Sequence, residues 1–571
     1  MDYTESFEYW LDSLCKEEWA YELSYVQEIR SELMKIVNDE KSKEDAFYRD
    51  LSFGTAGLRG VIGAGTNRMN IFTVGRATQG LANYIVKNFA EDKRSVAISY
   101  DSRHKSDLFA RVSAQVLAAN GIRVHIYKEL MPTPCLSFAV RELKCAAGIM
   151  VTASHNPPEY NGYKVYSPEG CQITEETADK VLSEISKTDY FMGVKVISFD
   201  EGMKSGYINY IEDKVYDDFT ACVLNESVAY GENIDKNVNI IYSPLNGTGL
   251  KPVCRALEEA GYKNILVVPS QKDPDGDFPT CKYPNPENYD SMKPGMDFAK
   301  EHNADILIAT DPDADRCGIA IKDKNNEYVL LTGNEIGVLL LNYICERKVS
   351  AGKMPSHPVA VKSIVSTDLA KEVGKSYGVE VKDVLTGFKY IGEAIKALED
   401  KGCEDDYLFG FEESYGFLSG GYVRDKDAVD ASFLIAEMFS FYKTKGISLN
   451  DKLNDIYGKY GYYINNVKSY EFKGSEGAKK MALIMESLRK GEMSTIGTLK
   501  VLKKTDYMEG INGLPKADVI KYELDGKSSV IVRPSGTEPK IKVYAAAVDK
   551  DKEAADKTAK MLVDELSKLM A

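Results

Sequence analysis

A chain of 571 residues, 44% hydrophobic and 28% charged, is too long for one core and has the composition of a multidomain globular protein. Its net charge of −15 excludes non-specific nucleic-acid or anionic-membrane binding, which needs a basic field, but allows an anionic small substrate, because a few local Arg and Lys outweigh the global sign at short range. Ten cysteines without C-x-x-C pairing and five histidines without H-E-x-x-H spacing give no zinc motif.

The opening twenty residues carry acidic charge and no apolar core segment, so no secretory signal is expected. Residues 5–49 read as helical, with Trp10, Leu11, Leu14, Trp19, Leu23, Val26 and Ile29 near helical spacing. A glycine-rich link, F-G-T-A-G-L-R-G-V-I-G-A-G, is centred on Arg59. Strand-like runs then alternate with helical patterns: Ser95–Ser99, a helix over Leu108–Ala119, and a strand over Arg123–Tyr127. The rhythm restarts at Asn237–Tyr242 and again at Val359–Lys362. The most apolar run, Val338 to Leu341, is far too short for a membrane span. From about 460 onward short strands and helices mix, and the chain closes on an amphipathic helix bearing Leu562, Val563, Leu566, Leu569 and Met570. The expectation is three α/β units of similar plan with mixed sheets, then an α+β unit, in a reducing cytoplasm with free thiols.

Four segments carry chemistry. In G-I-M-V-T-A-S-H-N-P, residues 148–157, an apolar run ends in a polar turn that presents Ser154 beside His155. A hydrogen-bonded turn is the plain reading, and display of a nucleophilic or phosphorylatable hydroxyl is the other. Further on, A-D-I-L-I-A-T-D-P-D-A-D-R places Asp311, Asp313 and Asp315 at alternate positions after a second apolar run. An EF-hand fails because its sixth and twelfth positions are Arg316 and Lys322. Three crowded carboxylates repel unless a cation neutralises them, and oxygen-only ligands point to Mg²⁺. In Y-L-F-G-F-E-E-S-Y-G-F, residues 407–417, Glu412, Glu413 and Ser414 offer acceptors for sugar hydroxyls, and the nearby T-G-F-K-Y offers Lys389. Last, I-V-R-P-S-G-T-E-P-K-I-K-V-Y-A, residues 531–545, sets Arg533, Ser535, Gly536 and Thr537 in a turn that can cradle phosphate, with Lys540 and Lys542 adding positive potential.

Taken together, T-A-S-H-N-P, D-P-D-A-D-R, F-E-E-S-Y-G and R-P-S-G-T-E-P resemble, in order, the four active-site loops of the α-D-phosphohexomutase family. Shorter matches are F-G-T-A-G-L-R-G, Y-D-S-R, P-T-P, N-G-Y-K-V-Y and T-G-F-K. The resemblance implies four domains around a central cleft, each giving one loop: 1–205, 206–324 and 325–455 as α/β domains and 456–571 as an α+β domain. It implies that Ser154 is a phosphoserine and that Mg²⁺ is held by Ser154, Asp311, Asp313 and Asp315. Arg59 matches an active-site arginine, and Lys164 a general acid/base, with His155 as its neighbour. Arg316 follows the metal loop as in the family, and Glu412 and Ser414 match the residues that hold sugar hydroxyls. Arg533, Ser535, Gly536 and Thr537 match the phosphate clamp, with Lys389 and Lys362 as helpers.

The activity implied is interconversion of glucose 1-phosphate and glucose 6-phosphate through glucose 1,6-bisphosphate, with mannose phosphates as further substrates, in a monomer or dimer. Phosphopentomutase chemistry, an Asp-nucleophile phosphatase centred on Asp311 and a non-catalytic phosphosugar-binding protein stand as alternatives. Two departures from the family pattern, Phe411 where many members have Gly and Asn246 where some have His, bear on sugar preference.

Overall fold

The structure, a computed structural model, describes residues 2–15, 21–54, 57–472, 474–511, 513–535 and 540–570. The single helical stretch expected over 5–49 is three helices, Tyr3–Leu14, Leu23–Ile36 and Glu40–Phe47. Two of them start on aspartate caps: Asp2 accepts from the Glu5 N–H, and Asp39 from the Ser42 N–H. Trp10, Leu14, Val26 and Ile29 are buried, as their spacing requires. Leu23, the first residue of its helix, is 55% exposed, and Trp19 lies outside the described residues.

Three sheets then repeat one plan. In the first, the strands Ser95–Tyr100, Arg123–Ile126 and Ala147–Val151 run parallel, and Tyr160–Tyr166 turns back antiparallel beside Ala147–Val151. In the second, Ile240–Ser243, Ile265–Val267 and Ile306–Thr310 are parallel and Cys317–Lys322 turns back beside Ile306–Thr310. In the third, Val359–Ser363, Glu380–Val384 and Tyr407–Glu412 are parallel and Gly416–Leu418 turns back. Counting within each unit, the spatial order is fourth, third, first, second every time. The fully buried third strands Ala147–Val151, Ile306–Thr310 and Tyr407–Glu412 are apolar almost throughout because helices cover both faces. The turn between third and fourth strands carries a key motif in every unit, and each contains a non-glycine residue in left-handed backbone: Ser154 (φ 51°), Ala314 (φ 46°) and Tyr415 (φ 65°).

The fourth sheet is antiparallel throughout, with Lys540–Asp549 paired between Tyr462–Glu471 and Ser529–Pro534. The closing helix Lys552–Ser567 packs Leu562, Val563 and Leu566 against it, while Leu569 is 43% exposed just beyond the helix end. Of the expected domain boundaries, 455 falls inside an element, and 205 and 324 each precede a strand that pairs into the sheet before it, Tyr328–Leu330 pairing with Cys317–Lys322 in the second. The strand Ile208–Tyr210 pairs with Arg123–Ile126 and buries Ile208, so the first sheet extends past 205. Residue 455 lies inside the helix Leu449–Tyr460, which packs Leu453, Ile456 and Tyr457 on the third unit's core. All ten cysteines are free thiols. Among the described residues no helix is long and apolar enough to cross a membrane.

Candidate active site

The serine turn is held by its own backbone. The Ser154 N–H donates to Thr152 Oγ1 at 2.8 Å, and the Asn156 N–H donates to the Ala153 carbonyl at 3.1 Å. Left-handed backbone at a non-glycine residue costs on the order of 1–2 kcal/mol, so these contacts must over-determine it. Gly162 on the returning strand is obligatory, because a Cβ there would sit 2.5 Å from the Thr152 carbonyl oxygen.

The aspartate turn is built the same way. The Ala314 N–H donates to the Asp311 carbonyl at 2.9 Å, while Asp311 Oδ1 accepts from the N–H groups of Asp315 and Arg316 at 3.0 and 2.9 Å. Pro312 packs directly on Gly247, where a Cβ would approach its Cα to 2.3 Å. The two turns meet. Ser154 Oγ donates to Asp311 Oδ2 at 2.7 Å, and His155 Nδ1 lies 3.1 Å from the same oxygen of Ser154. Thr133 clamps the junction, its hydroxyl donating to Asp313 Oδ2 and its N–H to the Asp313 carbonyl, both at 2.9 Å.

Asp311, Asp313 and Asp315 offer oxygens within 4.8 Å of one another and are 0%, 0% and 2% exposed. Asp313 Oδ1 and Asp315 Oδ1 are buried without a hydrogen-bond partner. Burial and mutual repulsion push Asp311 and Asp315 above the usual carboxylate range. At Asp313, burial is overcome by Lys164, whose Nζ is 2.7 Å from Oδ2, and the carboxyl is held low. The orphaned oxygens and the all-oxygen donor set fit a hard divalent cation. Lys164 also lies 3.6 Å from Asp315; burial lowers its affinity for a proton, but the two carboxylates outweigh it, so it stays charged. His155 is pushed well below its ordinary range by burial and by the nearby Arg316 and Arg59, and is neutral at pH 7.

Arg59 stands on the edge strand Gly57–Val61, its Nη1 donating to Asn156 Oδ1 at 3.1 Å. Arg316 is partly buried, with Nη1 3.5 Å from Glu287. In the third turn, Glu412 is 5% exposed and accepts from the Gly387 N–H at 2.7 Å, while Ser414 lines a cavity of about 300 Å³. Ile531, Lys542 and Tyr544 of the fourth sheet also line that cavity. Arg533 lies two residues beyond Ile531 on the same strand face, and Ser535 donates its N–H to the Lys540 carbonyl at 2.7 Å. Gly536 and Thr537 lie outside the described residues. Lys389 opens the helix Lys389–Glu399 beside Gly387, 4.0 Å from Glu175.

Lys362, expected beside the phosphate clamp, is instead fully buried, 2.8 Å from Asp383 and 3.0 Å from Asp368. It sits in a central parallel strand whose counter-ions come from elsewhere in the third unit, so its charge is spent inside the fold. Conversely, sequence reading overlooked Lys426. Its Nζ lies 3.3 Å from Asp315 and 3.0 Å from Asp425, and its charge acts on Glu412, so it bridges the aspartate and sugar turns. The signal was R-D-K-D directly before the mostly apolar and almost wholly buried helix Ala428–Thr444, since charges that precede a buried helix are buried with it. The two departures are structural. Phe411 is 1% exposed and packs between Phe409 and Gly337. Asn246 takes a left-handed turn position (φ 57°), its Nδ2 donating to the Asp273 carbonyl.

Models of the phosphoglucomutase/phosphomannomutase family match the chain in sequence: alpha/beta/alpha domain I over 50–191, domain II over 217–324, domain III over 332–460, and the C-terminal domain over 498–565. A phosphoglucomutase of Staphylococcus haemolyticus is 36% identical over 513 residues, covering 88% of this chain and 91% of that protein. A phosphoglucomutase of Staphylococcus aureus strain USA300 is 36% identical over 537 residues, covering 91% and 94%. Among solved structures, the Paramecium phosphoglucomutase pp63/parafusin in its open form aligns with a TM-score of 0.67 at 19% identity, over 91% of this chain and 95% of that one. A phosphoglucomutase/phosphomannomutase family protein of Burkholderia thailandensis aligns with a TM-score of 0.67 at 16% identity, over 91% and 96%. At such identities these two likenesses speak to the fold.

Proposed function

This chain belongs to the phosphoglucomutase/phosphomannomutase branch of the α-D-phosphohexomutases, and on that premise we propose that it is an isomerase interconverting glucose 1-phosphate and glucose 6-phosphate through a phosphorylated Ser154. The observation that carries the reading is the 2.7 Å contact between Ser154 Oγ and Asp311 Oδ2, which joins the nucleophile of one domain to the cation site of the next. Mg²⁺ is the ion we propose there, held by Asp311, Asp313, Asp315 and the phosphorylated Ser154; when bound it supplies charge neutralisation for phosphoryl transfer.

The protein's own groups do the rest. Phosphoserine 154 gives its phosphoryl group to the free hydroxyl of glucose 1-phosphate. Neutral His155 takes the hydroxyl proton and charged Lys164 stabilises the transferred group. Glucose 1,6-bisphosphate then turns over in the cleft and returns its other phosphoryl group to Ser154. Glu412 and Ser414 hold sugar hydroxyls, and Arg533, Ser535, Lys542 and Lys389 hold the idle phosphate. Mannose and pentose phosphates are further substrates to assay. The free thiols suit the reducing cytoplasm, which we propose as the compartment.

The Asp-nucleophile reading loses ground because both oxygens of Asp311 are engaged, Oδ1 by two N–H groups and Oδ2 by Ser154. The test assays glucose 1-phosphate conversion with Mg²⁺ in wild type and Ser154→Ala, with intact mass for the phosphoryl group. Ser154→Ala is expected to lose on the order of 10⁴-fold or more in kcat, as removal of a nucleophile does. Undiminished turnover in that variant would return the role to Asp311.

A further inference from the structure

Arg103 has no part in the chemistry above, yet its side chain is wholly buried and donates four hydrogen bonds to the serine turn. Its Nη2 donates to the Ser154 carbonyl at 2.6 Å and also to the Asn156 carbonyl; its Nη1 donates to the carbonyls of Pro157 and Tyr160 at 2.8 and 3.1 Å. All four N–H bonds of the two terminal nitrogens are therefore used on one turn. Only a guanidinium offers four donors in a plane; an ammonium has three on a single atom.

The guanidinium is fixed from two other sides. Asp101 Oδ2 lies 3.4 Å from its Nε, and the Phe278 ring, from the second unit, stacks at 4.9 Å. Asp101 also accepts from Thr152 Oγ1 at 2.5 Å, and Thr152 Oγ1 in turn accepts the Ser154 N–H at 2.8 Å. The Asp101–Arg103 pair thus holds the N–H side of Ser154 through Thr152 and its C=O side directly. Both peptide groups flanking the left-handed residue are pinned, and with them the direction of Oγ.

We propose that Arg103 is the positioning residue of Ser154: it locks the strained turn so that the hydroxyl, or the phosphoryl group it carries, points at the aspartate site, and through Phe278 it registers that turn against the second domain. The inference rests on the phosphoserine reading. The Arg103 side chain has no exposed surface to offer a substrate, so its loss acts on turnover rather than on binding.

The experiment compares wild type with Arg103→Lys, which keeps the buried charge beside Asp101 but cannot serve four carbonyls. Circular dichroism checks folding, steady-state kinetics separate kcat from KM, and a crystal structure of the variant reports the Ser154 backbone. The expected result is a kcat lower by about 100-fold, the scale of an ångström-sized misplacement, with KM within about twofold and Ser154 out of the left-handed region. A folded Arg103→Lys with wild-type kcat, with a raised KM alone, or with Ser154 still left-handed overturns the inference. Should Arg103→Lys not fold, Phe278→Leu frees the guanidinium from the second domain and is read by the same split, with an unchanged kcat overturning it. A wild type that turns over no sugar phosphate defeats the proposed function instead, and the crystal structure still decides the role of Arg103.

Discussion

One face of each of the first three sheets joins a shared apolar cluster, which begins at Ala97 and touches the fourth sheet at Tyr463, whereas the rest of the fourth sheet keeps a cluster of its own between Phe472 and Met570. Buried polar contacts stitch the first three together: Thr133 to Asp313, Tyr166 Oη to Asp425 at 2.8 Å, and the Arg424 N–H to Ser137 Oγ at 3.0 Å. Apart from Tyr462 and Tyr463, which pack against the helix Leu449–Tyr460 and the shared cluster, the fourth sheet meets the third through a small patch, where Ile364, Val365 and Leu385 face Tyr507, Val519, Ile531 and Tyr544, with Lys521 3.8 Å from Asp368 beside it. The groups proposed to move a phosphoryl group stand on the cemented side, and the groups proposed to grip the idle phosphate stand on the lightly joined side. Chemistry that depends on tenths of an ångström needs the first kind of junction. The proposed turn of a bisphosphate would need the second, because a small contact opens at low free-energy cost.

The contrast can be broken from the rigid side first. Gly247→Ala puts a methyl against Pro312 and must displace the aspartate turn, since the obstacle is backbone on both sides. Overpacking of that kind costs about 1–3 kcal/mol in stability. The shift in the turn is expected to lower kcat about 100-fold. Thermal unfolding and steady-state kinetics on the same variant check both, and a kcat near wild type would mean that the turn tolerates displacement.

A pH series tests the same junction more gently. Glu226 faces Ser419 and Gly420 of the third unit, and burial pushes its carboxyl up to about 7. A carboxyl raised in the folded state favours folding fully below its unfolded pKa and loses that contribution as pH rises through 7. Wild type is therefore expected to lose stability between about pH 5 and pH 7.5, on the order of 2 kcal/mol, relative to Glu226→Gln. Denaturant melts at several pH values measure it; parallel curves would remove Glu226 from the explanation. At the other junction Asp368 is held low, because Lys362, Lys521 and Lys371 together overcome burial, so that contact keeps its strength until pH falls below the ordinary carboxylate range.

The smallest effect is expected at that lighter junction. Lys521→Met removes a cation 7% exposed at the third–fourth contact, and kcat is expected to stay within about twofold while KM rises a few-fold. Hydrogen exchange should quicken in Tyr507, Val519 and Ile531 while the strand Ala147–Val151 keeps its protection. Equal quickening in both would show that the molecule opens as one body.

How much of this was legible in the sequence follows from what each feature depends on. The serine and aspartate turns were readable because their chemistry is carried by residue types within one short segment, and the strand before each is an unbroken apolar run. The β-α rhythm showed three units, but the shared strand order did not appear, since pairing between distant strands leaves no local mark. Lys362 was misread because a lysine in a strand looks the same whether it faces a ligand or two half-buried aspartates. Phe411 looked like a change in the sugar site and proved to be a core side chain, because alternation along the strand turns it away from the turn that follows.

The three aspartates have almost no surface of their own, and the ammonium of Lys164 and the hydroxyl of Ser154 stand over them. An ion seated there would lie beneath those two groups, on carboxylates that bulk water barely reaches. Its departure would wait on the protein's own breathing, and a chelator would strip it at a pace that adding more chelator does not quicken.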